Sequence, residues 1–298
     1  MRLPEVERLC RAVVPGAGRI DLKALGAGLI SETYRVTRDG VAYTLKVAAE
    51  SCELHADLPW EVQVLERAAH AGLAPRLVYS DLDGAVLLTR WAEGSSWVLQ
   101  EAGTPANLEK IAALLRRVHA LAVPIPARQV TPRQWITIYD EALSRRGSTA
   151  SDPALRGAAQ VRADALSALP QVVGVVCHSD LHGLNLIQQD DSLTLLDWEY
   201  AHVTDPLWDL AGWCANNDFE ADRQRSLLTH YLGDAPISSE WRRFKLLLAL
   251  YDYVCLLWSE LYLSVRSGAN GVRNAANGVA DRARLLDARL RLPAHYAV

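Results

Sequence analysis

The sequence predicts an α+β protein with a small β-rich N-terminal lobe and a larger, mainly helical C-terminal lobe. Two segments of alternating apolar residues flank Asp39-Gly40, a dipeptide typical of tight hairpin turns. Beyond residue 92, apolar residues recur mainly at the three- and four-residue spacing of amphipathic helices. This change of period along the chain predicts two domains, residues 1–92 and residues 93–298.

The first domain is predicted to hold a sheet and one long helix. Residues 61–71 carry apolar side chains on one helical face and end before Gly72, a common helix terminator. An Asp-Leu-Asp-Gly turn separates the last two strand candidates. The predicted strands are two within 22–36, on either side of a small-residue turn, and one each in 41–47, 76–80 and 85–91.

The second domain is predicted to be mainly helical. Two short β-rich segments, 172–178 and 193–198, interrupt the helical pattern and enclose a polar loop. The predicted helices are 108–121, 134–143, 158–169, 241–265 and 279–290. The polar loop carries the most informative motif of the chain.

Composition limits the partners. The chain has 298 residues and a formal net charge of -4, which argues against a surface that gathers nucleic acid or anionic lipid by charge. The longest apolar stretch, 244–258, contains Lys245 and Asp252, so no membrane span is expected. Five scattered cysteines without a CxxC pair favour a reducing, cytoplasmic location. We expect a small-molecule partner, no nucleic acid and no membrane, with the oligomeric state left open.

The informative motif is His178-x-Asp180, with Asn185 five residues after Asp180 and Asp197 twelve residues after Asn185. Asp180, Asn185 and Asp197 would present three oxygen donors on two hairpin-like edges. Mg²⁺ binds one or two protein oxygens together with waters and phosphate oxygens, so an Asn and an Asp suit it. Asp180 is then available to accept a proton from an attacking hydroxyl group.

These residues resemble the catalytic loop and metal-binding segment of the aminoglycoside phosphotransferase and choline kinase superfamily, whose members are relatives of protein kinases. The resemblance extends over almost the whole chain and implies a protein-kinase-like bilobal fold that uses ATP and Mg²⁺. It implies that Asp180 is the catalytic base and that Asn185 and Asp197 bind Mg²⁺. It further implies that His178 and Asp209 support the catalytic loop.

The resemblance also implies the ATP-binding residues. A small-residue loop between the first two strands lies where such enzymes cover the phosphates, and Lys46 is similar to the lysine that pairs with them. Glu61 is similar to the ion-pair partner of that lysine. The expected ATP-binding residues are Gly26, Gly28 and Ser31 of the loop, Lys46, Glu61, and Thr89, Arg90 and Trp91 against the adenine. Glu32 stands where many relatives have Asn.

The acceptor is expected to be a small, cationic alcohol. The segment from Asp197 to Ala201 is similar to choline, ethanolamine and bacterial thiamine kinases, and aromatic faces hold such cations. Trp258 matches one of two tryptophans of the choline kinase pocket, whereas Cys255 stands at the other. The expected acceptor-binding residues are Glu199, Tyr200, Trp213 and Trp258. An amino sugar, another sugar or an aminoglycoside as acceptor, and a pseudokinase without catalysis, remain alternatives.

Overall fold

The computed structural model describes residues 3–27, 31–48, 57–148, 152–266, 273–291 and 296. The strands are β1 Ile20–Ala27, β2 Ser31–Arg38, β3 Val41–Ala48, β4 Leu77–Asp81, β5 Val86–Arg90, β6 Ser95–Ser96, β7 Val175–Cys177, β8 Leu186–Gln189, β9 Ser192–Leu195 and β10 His202–Thr204. The helices are α1 Leu3–Val13, α2 Leu58–His70, α3 Leu99–Ala102, α4 Pro105–His119, α5 Pro132–Arg145, α6 Pro153–Ser167, α7 Leu207–Asn216, α8 Ala221–Leu232, α9 Ser238–Arg266 and α10 Arg273–Leu290. The expected α+β class, with strands early and helices late, is confirmed.

The chain divides into two compact units. Unit 1 contains residues 1–97, 121–126 and 183–201, and unit 2 contains residues 98–120, 127–182 and 202–298. Unit 1 thus combines three separate stretches of the chain, among them the hairpin β8–β9. The expected domains, residues 1–92 and 93–298, stay a prediction.

Unit 1 is built on a five-stranded antiparallel sheet in the order β1-β2-β3-β5-β4. Along β3, Tyr43, Leu45 and Val47 are buried in the core with side chains of α1 and β2. Because side chains alternate along a strand, Lys46 points to the opposite face of the sheet. One face of β3 therefore supports the fold, while the other presents the predicted phosphate-binding lysine.

The hairpin β8–β9 brings two predicted metal ligands next to each other. A 3₁₀ turn, Gly183–Asn185, leads into β8, and Leu186 pairs with Leu195 of β9. The Leu196 amide donates to the Asn185 carbonyl at 2.8 Å, which extends the pairing by one step. Asn185 before the first strand and Asp197 after the second are therefore neighbours.

Unit 2 is mainly helical and centres on the long helix α9, which packs against α5, α6, α7 and α10. A short antiparallel pair, β7 with β10, sets Cys177 opposite His202 and leads into the 178–182 loop. Helix α7 follows β10 directly and is almost wholly buried. The loop thus begins at the edge of a small sheet and lies in the same unit as α7, α9 and α10.

Helix α9 is long and apolar enough over Ser238–Val265 to cross a membrane by length and composition alone, with a mean hydropathy of 1.5 in an 18-residue window. However, 72% of that window is buried inside the protein. Its buried charges also have partners on other elements: Lys245 Nζ donates to Gln224 Oε1 at 3.1 Å, and Asp252 pairs with Arg289. This pattern is typical of a core helix packed within a folded chain.

Candidate functional site

In unit 1, one lysine meets three carboxylates, a group that we call the Lys46 cluster. Lys46 Nζ lies 3.0 Å from Glu61 Oε1, 2.6 Å from Asp197 Oδ1 and 2.6 Å from Glu199 Oε2. Strand β3 supplies the lysine, the first turn of α2 supplies Glu61, and the segment after β9 supplies the other two carboxylates. One positive charge facing three negative charges leaves a local excess of negative charge.

This excess changes the protonation of the Lys46 cluster. Burial opposes the charge on Lys46, but the carboxylates of Asp197, Glu61 and Glu199 outweigh it and raise the lysine pKa well above its ordinary value. Burial also raises the pKa of Glu199 to about 7; the Asp197 charge adds to this effect and the Lys46 charge opposes it. Part of the rise in the Glu199 pKa comes from the neighbouring carboxylates of Asp197 and Glu61, and a further cation would compensate this negative charge.

The donors of the Lys46 cluster suit a hard divalent cation. Asp197 adopts a left-handed backbone conformation with φ of 59°, which turns it out of the β9 strand direction. Its side chain remains 35% exposed although it contacts Lys46. Together with the neighbouring Asn185 it offers carboxylate and amide oxygens beside an excess of negative charge. These are the donors that Mg²⁺ prefers in sites that also bind phosphate.

In unit 2, the predicted catalytic loop is held by one buried carboxylate, a group that we call the Asp209 clamp. Asp209 of α7 accepts hydrogen bonds from the His178 amide at 2.9 Å and the Ser179 amide at 2.7 Å. Its Oδ2 also lies 3.1 Å from His119 Nε2 of α4. Ser179 takes a left-handed φ of 69°, and the clamp stabilises this uncommon turn directly before Asp180.

The charge of the clamp is stabilised by its surroundings. Burial by itself would raise the pKa of Asp209, but the hydrogen bond and charge of His119, the charge of His178 and the Ser179 amide hold it below its ordinary value. His119 in turn reaches Tyr231 through its Nδ1, 2.7 Å from the phenolic oxygen. Asp209 is therefore an ionised acceptor with donors on several sides.

The residues of the 178–182 loop also contact one another and the neighbouring strand β10. The fully buried His178 side chain accepts a bond from the Asp180 amide, with Nδ1 at 3.3 Å. The Ser179 hydroxyl lies 3.1 Å from His202 Nδ1. The Asp180 carboxylate is partly exposed, and its Oδ2 lies 3.6 Å from His182 Nε2. Asp180 thus combines a restrained backbone with an accessible carboxylate, which a general base needs.

The remaining predicted ATP residues lie in unit 1. Gly26 is in β1 and pairs with Thr33, Ser31 is buried at the start of β2, and Gly28 lies outside the described residues. Thr89 and Arg90 end β5. The Arg90 and Trp91 amides already donate to backbone carbonyls, and the Arg35 guanidinium covers one face of the Trp91 ring at 4.6 Å. Adenine binding at 89–91 stays a prediction.

The predicted acceptor residues fall into different surroundings. Glu199 lies against Lys46, and Tyr200 follows it in unit 1. In unit 2, the Trp213 side chain is fully buried in α7, whereas Trp258 of α9 is half-buried with its ring 5.4 Å from that of Tyr262. Their acceptor-binding roles stay predictions.

Two groups of contacts were not predicted from the sequence. Glu199 lies two residues after Asp197 and joins it on Lys46. Because Asp197 is in a left-handed conformation and Glu199 lies in a turn, the alternation of side chains along a strand does not predict this sharing. His119 and Tyr231 reach the Asp209 clamp from helices distant in sequence, and no local pattern signals them.

Comparisons with known proteins show the family and the fold of the chain. The profile of the phosphotransferase enzyme family matches residues 21–247. Protein LicA of Haemophilus influenzae is 29% identical over 154 residues, which are 49% of this chain and 55% of that protein. The chain thus spans about half the length of the curated relatives that it matches.

Two solved structures share the fold. A choline/ethanolamine kinase family protein from Mesorhizobium loti has a TM-score of 0.77 at 23% identity, covering 99% of this chain and 97% of that one. Choline kinase LicA from Streptococcus pneumoniae has a TM-score of 0.78 at 21% identity, covering 96% of this chain and 98% of that one. Together with the family match, they confirm the kinase-like fold and the resemblance inferred from the motifs.

Proposed function

The chain belongs to the phosphotransferase enzyme family, and from that premise we propose that it is an ATP-dependent kinase of a small alcohol. In this reaction the γ-phosphoryl group of ATP is transferred to the acceptor's hydroxyl oxygen. The bond from that phosphorus to the bridging oxygen of ADP breaks, and the hydroxyl proton leaves. The proposal rests above all on the Lys46 cluster, where one buried ammonium group is set among three carboxylates.

Lys46 is the proposed phosphate-binding cation. Its ammonium group is held by Glu61 at 3.0 Å from a helix turn that is itself buried, so it stays charged and fixed. A fixed positive charge aimed at a phosphate stabilises the charge that develops during phosphoryl transfer, without reorganisation at the moment of reaction. This supports ATP as the second substrate.

Asn185 and Asp197 are the proposed ligands of Mg²⁺, with Glu199 close by. The excess negative charge of the Lys46 cluster and its amide and carboxylate oxygens fit a divalent cation that also contacts phosphate. When bound, Mg²⁺ neutralises phosphate charge and orients the transferred group. Lys46 bonds to Asp197 and Glu199 would keep these carboxylates oriented before the cation arrives.

Asp180 is the proposed general base. Its carboxylate is partly exposed, while the Asp209 clamp holds the two preceding backbone amides. In the proposed reaction Asp180 orients the acceptor hydroxyl and takes its proton as the new bond to phosphorus forms. Because positioning supplies most of the catalysis in phosphoryl transfer, a rigid loop matters as much as the basicity of Asp180.

Choline, ethanolamine or thiamine is the acceptor that we propose first. The fold likeness to choline and ethanolamine kinases and the aromatic residues Tyr200 and Trp258 support a cationic alcohol. Cys255 supplies no aromatic face, and Trp213 is fully buried, so sugars and aminoglycosides remain alternative acceptors. We also propose a cytoplasmic location, which the scattered cysteines favour.

The test is ADP release from Mg²⁺-ATP with choline, ethanolamine, thiamine, hexosamines and a kanamycin-type aminoglycoside, each against a reaction without acceptor. We expect acceptor-dependent ADP release with one class of alcohol and none when EDTA replaces Mg²⁺. ATP binding without ADP release with any acceptor would contradict the proposal and would favour a pseudokinase.

A further inference from the structure

The loop that carries Asp180 is also held on its downstream side. Asn216, the last residue of α7, donates from Nδ2 to the Leu181 carbonyl oxygen at 2.9 Å, directly after Asp180. The same nitrogen lies 3.1 Å from the Tyr251 hydroxyl of α9. The Asp209 clamp acts on residues 178 and 179, so Asp180 lies between two sets of contacts from opposite ends of α7.

A residue from α10 fixes the orientation of the Asn216 amide. Arg282 Nη2 donates to Asn216 Oδ1 at 3.2 Å and to the Ala215 carbonyl at 3.2 Å. A guanidinium group can only donate and a carbonyl can only accept. The amide oxygen must therefore face Arg282, and the amide nitrogen must face Leu181, because a flipped side chain would lose both bonds.

Packing between α7 and α9 fixes the position of Tyr251, the third partner of the Asn216 amide. A Cβ atom at Gly212 would lie 2.8 Å from Cε2 of the Tyr251 ring, so only glycine lets α7 approach this closely. Trp208 contacts the same ring edge-on, with centroids 5.1 Å apart. The Tyr251 hydroxyl is thereby held one helical turn further along α7, beside Asn216.

We propose that Asn216 is a positioning residue for Asp180 and that Arg282 acts through it as an orienting partner. The proposal rests on the proposed kinase function, in which Asp180 is the general base. Three bonds converge on one side-chain amide from the loop, α9 and α10, and they restrain the peptide that follows the base. Arg282 lies beyond residues 21–247, the part matched by the family, so helix α10 enters the site through this contact.

Electrostatics supports the same arrangement. Burial raises the pKa of Cys255, the Asp180 charge adds to the rise, and the Arg282 charge opposes it. Burial likewise raises the pKa of Tyr251, with the same opposing contributions from Asp180 and Arg282. The Asp180 carboxylate and the Arg282 guanidinium therefore both act on Tyr251 and Cys255 of α9, in agreement with the hydrogen bonds that bring Arg282, Asn216 and Tyr251 together.

The sharpest test is Asn216→Asp, which keeps the shape of the side chain and an acceptor for Arg282 but removes the donor to Leu181. We expect kcat to fall roughly 10- to 100-fold while the KM for ATP stays within about twofold, because a small misplacement of a reacting group has effects of this size. Asn217→Ala is the matched control: its amide bonds within α7, to the Trp213 carbonyl, and its loss should leave kcat near the wild-type value.

The orienting role of Arg282 is tested by two substitutions, one that removes the hydrogen-bond donor and one that keeps it. Arg282→Met should lower kcat as Asn216→Asp does, whereas Arg282→Lys, which keeps a donor, should recover most of it. Arg284→Met, on the exposed side of the same helix, is the control and should be without effect. Equal losses in Arg282→Lys and Arg282→Met, or none in either, would contradict an orienting role.

Amide hydrogen exchange separates this proposal from the kinase proposal because it needs no substrate. In Asn216→Asp, a peptide containing residues 178–182 should exchange faster than in the wild type, while peptides of α4 and α9 should not change. Either unchanged exchange in that peptide or unchanged kcat would overturn the proposal. If the wild-type protein phosphorylates no acceptor, the kinase proposal fails, and the exchange result alone decides whether Asn216 restrains the loop.

Discussion

The Lys46 cluster and the Asp209 clamp both hold carboxylates in contact with predicted site residues, but the electrostatic surroundings of these carboxylates are opposite. In the cluster, three carboxylates share one ammonium group, and burial raises the pKa of Glu199 to about 7. In the clamp, one carboxylate receives two backbone amides and a histidine, and its pKa is lowered. The Lys46 cluster therefore has more carboxylates than positive charges, whereas the Asp209 carboxylate has a hydrogen-bond donor on each oxygen.

This difference suits the Lys46 cluster to binding a cation and the Asp209 clamp to holding the backbone of the 178–182 loop. A group with surplus charge loses little stability when one carboxylate is neutralised, and it gains when a cation binds. A satisfied buried carboxylate stabilises a fixed backbone shape, and neutralising it leaves donors without an acceptor. We therefore expect mutations in the two regions to separate activity from stability.

The largest effect is expected on turnover. Asp180→Ala and Asp197→Ala should each lower kcat about 1000-fold, since general bases and charge-stabilising groups contribute on that scale. ADP release with the best acceptor at saturating Mg²⁺-ATP measures the loss. Asp191→Ala, in the exposed β8–β9 turn, is the control and should keep full activity. Turnover near the wild-type rate in either variant would remove that residue from the mechanism.

The second-largest effect is expected on the free energy of unfolding, for a substitution in the Asp209 clamp. Asp209→Asn should lower the free energy of unfolding by about 2 to 4 kcal/mol, because an NH₂ group would replace one of two oxygens that face N–H donors. Urea unfolding followed by tryptophan fluorescence measures this change. Asp234→Asn, at an exposed loop position, should change it by less than about 0.5 kcal/mol. A loss at Asp209 no larger than this control would show that the clamp is not needed for the fold.

A smaller effect on the free energy of unfolding is expected at the Lys46 cluster, where removing a carboxylate charge should not destabilise the protein as it does at the Asp209 clamp. Without Mg²⁺, Asp197→Asn should leave the free energy of unfolding within about 1 kcal/mol of the wild type or raise it, because Lys46 keeps Glu61 and Glu199. Added Mg²⁺-ATP should raise the melting temperature of the wild type but not of the variant. A destabilisation as large as that of Asp209→Asn would contradict the surplus of negative charge.

The smallest expected effect is a change in acid sensitivity. Because the folded pKa of Asp209 lies below its unfolded value near 3.8, its charge stabilises the fold above that pH and loses this effect as the pH falls further. The stability difference between wild type and Asp209→Asn should therefore shrink as unfolding is measured from pH 6 down to pH 3. A difference independent of pH would show that the lost bonds, not the charge, stabilise the clamp.

Much of the fold could be predicted because its signals are local. The helix predicted at 61–71 is α2, Leu58–His70, and it begins earlier because the Asp57 side chain accepts from the Trp60 amide as an N-cap. Strand β10 and helix α3 were not predicted, since two- to four-residue elements have too few residues for a periodic pattern.

The candidate site likewise has one part that the sequence predicts and one part that it does not. The motif of Asp180, Asn185 and Asp197 lies within eighteen residues, so its spacing is visible in the sequence. Asn216, Tyr251 and Arg282 converge from three helices, and their meeting depends on how α7, α9 and α10 pack. These three residues lie far apart in the sequence, and no local pattern predicts that their side chains are in contact in the folded chain.

The central claim is that this chain moves a phosphoryl group from ATP to an alcohol, with Asp180 as the base. Phosphorus NMR of reactions with each acceptor tests it most directly. We expect a new phosphomonoester resonance that appears together with ADP, requires Mg²⁺, and is absent with Asp180→Ala. Release of inorganic phosphate alone, at the same rate with and without acceptor, would contradict the claim.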